Sequence, residues 1–120
     1  MAGAFDIYMP ESGKLLPYIP QKVKLGFATE IPAGHVALLL PRSGVGSRGL
    51  ELVNTCGVID ADYRGEWMAT LRNTMSAIEW ERGDRLLQFL IVPVFTPELE
   101  VVDSLNETNR GAGGFGSSGT

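Results

Sequence analysis

The segment 57–66 concentrates residues that could do chemistry. A β-branched pair leads into Asp60, and Asp62 and Tyr63 follow before the next glycine. A carboxylate so placed could act as a general base, with the neighbouring aromatic ring as a platform for a substrate. Asp60 and Asp62 would lie on one side of an extended chain, where they could repel each other or bind a metal ion; in a turn they would point apart. A solvated acidic hairpin tip is the common alternative.

Two other polar positions adjoin apolar runs. Arg42 and Ser43 follow the run 36–40. A guanidinium beside a hydroxyl could contact an anion, although a surface arginine is usually only solvated. Gln88 interrupts the run 86–95, just after the turn 83–85. A buried amide without hydrogen bonds costs about 1–3 kcal/mol, so Gln88 needs a partner, which could be structural or a ligand.

The C-terminus is rich in glycine. Five of the last eleven residues, 110–120, are glycine. Such a composition is typical of a flexible linker. The alternative is a loop that cradles phosphate through its backbone N–H groups, with Arg110, Ser117 and Ser118 as further donors. Phe115 favours this second interpretation, because a lone aromatic ring in a polar tail needs a surface on which to stack.

Short strands must position these residues. Turn residues break the chain every few positions, and apolar runs with strand character lie between them. The candidate strands are 22–29, 36–40, 50–53, 67–71, 86–95 and 99–102. The continuous run 36–40 predicts a strand covered on both sides, and Ser43 is a good N-cap for one short helical turn. No longer window has helical spacing, so the sequence predicts an all-β sandwich, barrel or jelly roll.

Composition limits the remaining classes. A chain of 120 residues with 44% hydrophobic residues is one globular domain. The net charge of −4 without a basic run argues against non-specific binding of nucleic acid or anionic membranes. A single cysteine, Cys56, and a single histidine, His35, exclude an intrachain disulfide and make a Ser–His–Asp triad improbable. The N-terminus does not read as a signal peptide and no apolar stretch is long enough to span a membrane, which predicts a cytoplasmic location.

Taken together, the chain resembles the trimeric deoxyuridine triphosphate nucleotidohydrolases, the dUTPases. That family has five short motifs, and all five have counterparts here in the same order. They are residues 3–7, 41–44, Asn54 with 57–65, 83–88 and 110–119. The third and fifth are highly specific, and the second is moderately so. The first departs from the usual pattern because Ala4 stands where glycine is customary. The resemblance implies a jelly-roll-like β-domain over 1–104 and a flexible C-terminal arm over 105–120.

The resemblance also implies a mechanism. Asp60 would activate a water to attack the α-phosphorus of dUTP, giving dUMP and pyrophosphate, and thereby limit uracil in DNA. Mg²⁺ would be bound mainly through the triphosphate, with Asp6 holding its water shell. Ser43 would donate to the oxygen between the α- and β-phosphates. Arg42 and Gln88 would hold the phosphate chain and the water.

Recognition of the nucleoside would come from the third and fifth motifs. Tyr63 would lie under the deoxyribose and leave no space for a 2′-hydroxyl, while Asn54 and the backbone of 57–63 pair with uracil. Phe115 would stack on the base. The implied substrate-binding residues are Arg42, Ser43, Gly44, Asn54, Gly57, Val58, Ile59, Asp60, Tyr63, Gln88, Arg110, Phe115, Gly116, Ser117 and Ser118.

The same resemblance implies a homotrimer with three active sites at subunit interfaces. One subunit would supply the uracil hairpin, a second the motifs around Ser43 and Gln88, and the third its C-terminal arm. Two rival classes remain at this point: a dCTP deaminase, which shares the fold but normally lacks the glycine-rich tail, and a non-catalytic trimer that kept only the fold. Some dUTPases also bind regulatory proteins, and no residue pattern in this sequence indicates such a partner.

Overall fold

The computed structural model describes residues 1–114 and residue 116. Within these residues the chain forms nine β-strands and one helical turn, so the predicted all-β class is confirmed. The elements are β1 (Phe5–Tyr8), β2 (Gly13–Leu15), β3 (Gln21–Lys24), β4 (His35–Pro41), α1 (Ser43–Gly46), β5 (Leu50–Leu52), β6 (Gly57–Ile59), β7 (Met68–Asn73), β8 (Ile78–Trp80) and β9 (Arg85–Pro93).

Three antiparallel sheets make up the domain. The largest has the order β1-β9-β4-β6, the second has the order β3-β7-β5, and β2 pairs with β8. The long strands β4 and β9 pair along their whole length, from His35 opposite Pro93 to Pro41 opposite Leu87. They form the frame on which the shorter strands β1 and β6 are placed, one on each side.

An aromatic cluster of Trp67, Phe27 and Phe89 packs into and against the apolar core. Trp67 is fully buried, its ring centroid lies 4.8 Å from that of Phe27 and 5.0 Å from that of Phe89, and its Nε1 donates to Thr29 Oγ1 at 3.1 Å. A buried indole N–H that keeps a partner avoids the cost of desolvation. The cluster fixes the start of β7 against β9 and therefore fixes the hairpin that precedes β7.

Several predicted elements differ in detail from the observed ones. The predicted strand 22–29 ends at Lys24, because Gly26 has a φ of +85° and its N–H donates to the Glu66 carboxylate. Along β4 only Ala37 and Leu39 are buried, so this strand is not covered on both faces as the apolar run suggested. The helical turn after residue 42 is confirmed, but Arg42, not Ser43, is its N-cap.

The C-terminal segment leaves the domain after β9. Among residues 1–114 and 116, its last backbone hydrogen bond with the body is from the Val94 N–H to the Gly34 carbonyl, at 2.8 Å. Every residue from 93 to 112 is exposed, and the predicted strand 99–102 does not form. The radius of gyration of 18.9 Å exceeds the roughly 13–14 Å of a compact domain of this length. Leu99, Val101 and other apolar side chains therefore lie without cover in a single copy.

Candidate active site

A tight hairpin between β6 and β7 presents Asp60 and Tyr63. The Tyr63 N–H donates to the Asp60 carbonyl at 3.2 Å, and the Tyr63 hydroxyl donates to the Glu66 carbonyl at 2.8 Å. The phenol lies across Gly65, where a Cβ would be 2.5 Å from the hydroxyl oxygen. Glycine at position 65 is thus required by the tyrosine ring. Asp60 is exposed.

Asp62 lies within the turn that directly follows Asp60 in the hairpin. Residues 61–62 form the turn, and Arg64 Nη1 donates to the Ala61 carbonyl at 2.7 Å. The chain is therefore not extended between Asp60 and Asp62, and the same-side arrangement considered from the sequence is wrong. Among the described residues no group of three or more His, Cys, Asp or Glu side chains could hold a metal ion directly.

A pocket lies under the hairpin, between the edge of the large sheet and β7. Gly57 makes close contact with β4, since a Cβ there would lie 3.0 Å from that of Leu39. The Asn54 side-chain amide donates to the Cys56 carbonyl at 3.4 Å across the turn that enters β6. The pocket is lined by Leu39, Leu52, Val53, Asn54, Gly57, Val58, Ile59, Met68, Ala69 and Thr70.

A second cluster lies at the end of β4, where motifs distant in sequence meet. One Asp6 oxygen is 3.0 Å from Arg42 Nε, and the other is 3.1 Å from Arg85 Nη1. Arg42 Nη1 also donates to the Arg85 carbonyl at 3.3 Å. These three side chains are between 29% and 45% exposed, so the arrangement is both ordered and open to a ligand.

Gln88 completes this second cluster. Its amide donates to the Pro41 carbonyl at 3.2 Å, which is the structural partner that its position in an apolar run required. In the sheet, Gln88 lies directly between Asp6 on β1 and Leu40 on β4. An open groove is lined by Ala2, Gly3, Ala4, Asp6, Arg42, Ser43, Gln88 and Leu90. Gly44 faces a neighbouring groove together with Arg42, Arg48 and Arg85.

The two clusters lie at opposite ends of β4. Ile59, which precedes Asp60, is the register partner of Ala37 near the start of β4, whereas Ser43 follows the end of this strand. At about 3.3 Å per residue, Ala37 and Ser43 are separated by about 20 Å. One copy of the chain therefore does not bring Asp60 to Ser43, Arg42 or Gln88.

Part of the fifth motif lies at the boundary of the described residues. The N–H of Gly113 donates to the Arg110 carbonyl at 3.1 Å in a local turn, and Gly116 has a φ of +91°, a backbone conformation that favours glycine. Phe115, Ser117 and Ser118 lie outside the described residues. Arg110 is exposed and belongs to the segment that has left the body of the domain.

Comparison with known proteins identifies the family. The family model for dUTPase matches residues 1–119. The chain belongs to the dUTPase family. Its members are hydrolases of nucleotide metabolism that convert dUTP to dUMP, and this chain is accordingly an enzyme of that class. The all-β domain is the jelly-roll-like fold that the motifs implied.

Relatives within the dUTPase family cover most of the chain. The deoxyuridine 5′-triphosphate nucleotidohydrolase of Anaeromyxobacter sp. is 42% identical over 98% of this chain and 82% of its own length. The corresponding protein of Maricaulis maris is 47% identical over 82% of this chain and 66% of its own length. The dUTPase of Staphylococcus bacteriophage 80alpha, solved with dUpNHpp as a single-residue mutant, has a TM-score of 0.87 at 29% identity, covering 100% of this chain and 88% of that one.

Residues outside the predicted set also border the hairpin pocket and the cluster at the end of β4. Arg85 belongs to the fourth motif but had no predicted role, and Met68 and Thr70 line the pocket under the hairpin. A signal for Arg85 is present in the sequence, since it is a charge directly before a buried strand. Its contact with Asp6 depends on pairing between β1 and β9, which are almost 80 residues apart along the chain.

Magnesium is the cofactor that the dUTPase resemblance implies. Mg²⁺ usually keeps several waters and is held by one or two carboxylates plus substrate phosphates. Asp6 fits such an outer role, because its two oxygens contact two arginines but each retains capacity to accept from a water. A mutant dUTPase of phage phi11 of Staphylococcus aureus has been solved with a structural Mg(II) ion, with a TM-score of 0.77 at 29% identity over 86% of this chain and 84% of that one.

Within the described residues, no helix is long and apolar enough to cross a membrane.

Proposed function

We propose that the enzyme cleaves dUTP between the α- and β-phosphates, giving dUMP and pyrophosphate, at sites assembled from different copies of the chain. The observation that carries the proposal is the separation of its two clusters along β4. The hairpin offers a carboxylate above a pocket, while the far end of β4 offers donors suited to phosphate. Each cluster supplies what the other lacks.

The hairpin half binds the nucleoside and activates the water. Asp60, exposed at the hairpin, takes a proton from the water that attacks the α-phosphorus. Tyr63 lies under the deoxyribose, and the hydrogen bond from its hydroxyl to the Glu66 carbonyl fixes the position of the ring. Asn54 and the backbone of Gly57, Val58 and Ile59 pair with the uracil edge, which rejects bases that present the wrong donors.

The phosphate half stabilises the charge that develops as the bond breaks. Arg42, held by Asp6, contacts the phosphate chain, and Ser43 donates to the oxygen that leaves with the β-phosphate. Gly44 allows the backbone to approach closely, and Gln88 helps to orient the water. Mg²⁺, when bound to the triphosphate with Asp6 in its outer shell, supplies neutralisation of phosphate charge.

A homotrimer is the assembly that brings the halves together. The exposed apolar side chains of the segment 93–112 support it, because they need a second copy to cover them. In this arrangement the arm 105–120 of a third copy closes over the nucleotide. Phe115 stacks on uracil, and Arg110, Ser117, Ser118 and the backbone of Gly116 contact the β- and γ-phosphates.

A substrate panel tests the activity. Pyrophosphate release with dUTP, dCTP, dTTP and UTP should be strong for dUTP alone and should depend on added Mg²⁺. Equal activity with dCTP or UTP would contradict the assignment of the hairpin as a uracil and deoxyribose site, and pyrophosphate release unaffected by chelation would contradict the role of magnesium.

Tyr63→Ala should relax the choice of sugar. Removing the ring opens space for a 2′-hydroxyl and loosens the position of dUTP, so the ratio of kcat/KM for dUTP to that for UTP should fall by at least about tenfold. Tyr63→Phe is the matched control: it keeps the ring, loses only the bond to Glu66, and should retain most of the discrimination. An unchanged ratio in the alanine variant would mean that another group recognises the sugar.

Truncation before Arg110 should abolish most activity without disturbing the assembly. The deleted residues include the fifth-motif donors, and ordering a glycine-rich segment costs about 1–2 kcal/mol per residue, which only a bound nucleotide can offset. We expect a large fall in kcat/KM, with the mass by light scattering and the melting temperature unchanged. If the truncated enzyme turns over dUTP at the parental rate, residues 110–120 are only a linker. If truncation instead dissociates the trimer, these residues serve in assembly.

A further inference from the structure

Arg85 opens β9 at an irregularity in the sheet. Ile7 pairs with Leu87 but the next residue, Tyr8, pairs with Arg85, so the register shifts by one residue at this point. Such a bulge changes the direction of a side chain and often occurs beside active sites. Here it brings the guanidinium over the Tyr8 ring, with Cζ 5.8 Å from the ring centroid, a cation–π distance.

Arg85 reaches Arg42 by two routes. The side chain contacts one oxygen of Asp6 while Arg42 Nε contacts the other. The main-chain carbonyl of Arg85 accepts from Arg42 Nη1 at 3.3 Å, and the adjacent Leu86 carbonyl accepts from the Arg42 backbone N–H at 3.0 Å. Together these contacts fix the plane of the Arg42 guanidinium at the edge of the phosphate groove.

The sharing of Asp6 between two arginines differs from the geometry that one arginine and one carboxylate favour. Their planar groups match, so an isolated pair tends to join through two parallel hydrogen bonds. Asp6 does not pair with Arg42 in this way, because its second oxygen is held by Arg85. Without Arg85, Asp6 could turn to bind Arg42 at both oxygens and occupy the N–H groups that would otherwise face a phosphate.

We propose that Arg85 is a positioning residue for phosphate recognition, which acts by dividing the Asp6 carboxylate between two guanidinium groups and so orienting Arg42. Tyr8 supports it by holding the Arg85 guanidinium over its ring. This inference rests on the proposed function in one respect, namely that Arg42 contacts the phosphate chain of the substrate.

The test compares a triphosphate with a monophosphate. The dissociation constants of dUpNHpp and dUMP are measured for the parent, for Arg85→Gln and for Arg82→Gln, a matched loss of charge on the exposed turn before β9. In Arg85→Gln, binding of dUpNHpp should weaken about tenfold and that of dUMP less than about twofold, because dUMP lacks the β- and γ-phosphates. Arg82→Gln should change neither.

The conservative variant separates geometry from charge. Arg85→Lys keeps the charge but loses the planar guanidinium that lies over the Tyr8 ring, so it should remain impaired for dUpNHpp. Tyr8→Leu leaves all three charged groups in place and should weaken dUpNHpp binding less than Arg85→Gln does. If Arg85→Gln does not form a folded trimer, Tyr8→Leu takes its place in the test. Full rescue by lysine, or equal losses for both nucleotides, would overturn the proposal.

A double-mutant cycle shows whether Arg85 acts through Arg42. In an Arg42→Gln background, the further change Arg85→Gln should alter dUpNHpp binding by less than about twofold, because the guanidinium that Arg85 orients is already absent. An undiminished tenfold loss would overturn the proposal by making Arg85 a direct or independent contact. A parent that binds dUpNHpp no better than dUMP would contradict the proposed function itself, so the two failures are distinguishable.

Discussion

Replacing Asp60 by asparagine is expected to lower kcat for dUTP by about 10²–10⁴, the usual contribution of a general base. Asparagine has nearly the same shape but cannot accept the proton of the attacking water. The side chain is exposed at the hairpin, so the free energy of unfolding should change by no more than about 0.5 kcal/mol. Binding of dUpNHpp should be largely retained, because the proposed contacts with uracil, sugar and phosphate are made mainly by other residues.

Asp62→Asn provides the control for this measurement. Asp62 belongs to the same hairpin and is also exposed, but it lies within the turn 61–62, whereas Asp60 precedes that turn. The substitution removes the same charge from the same loop, so any general effect of hairpin charge on kcat appears in both variants. Turnover of Asp60→Asn within a few-fold of the parent, or an equal fall for Asp62→Asn, would show that Asp60 is not the base.

Much of the architecture is predictable because it is local. The run 36–40 is apolar and lies between turn residues, and it forms the central part of β4. Gln88 had to find a hydrogen bond inside an apolar strand and found the Pro41 carbonyl. The segment 99–102 shows the limit of this reasoning. Its alternation of Leu99 and Val101 with acidic residues favours a strand. A strand needs a neighbour, however, and among the residues that the structure describes no strand pairs with this segment in one copy.

The separation of the two clusters along β4 was implied by the family resemblance, but residue patterns alone do not predict it. It depends on register, since Gly57 pairs with Leu39 and Ile59 with Ala37, which directs the hairpin toward the start of β4. The ion-pair cluster of Asp6, Arg42 and Arg85 likewise depends on the non-local pairing of β1 with β9 and on the bulge in that pairing. Motif spacing along the chain carries no information about either, because antiparallel register is set by packing and turn geometry across the sheet.

Mixed trimers should recover activity from two inactive parents. Ser43→Ala removes the proposed donor to the leaving oxygen and should lower kcat by about 10²–10³, while Asp60→Asn removes the proposed base. Asp60 follows the residue that pairs with Ala37 near the start of β4, and Ser43 lies beyond the end of this strand, so no single copy brings the two residues together. If each site takes its hairpin from one copy and its phosphate half from another, trimers refolded from an equal mixture contain intact sites.

The expected recovery can be calculated from random assembly. A site is intact when its hairpin comes from a Ser43→Ala chain and its phosphate half from an Asp60→Asn chain, which happens for about one quarter of sites in a closed ring of three. The refolded mixture should therefore regain about a quarter of the parental kcat, whereas the two variants refolded separately and then combined should stay inactive. Light scattering should give about three times the 13.0 kDa chain mass in every sample. A trimer without recovery would mean that each site lies within one copy, and the register of β6 on β4 would then have to change on assembly, because that register keeps Asp60 and Ser43 apart.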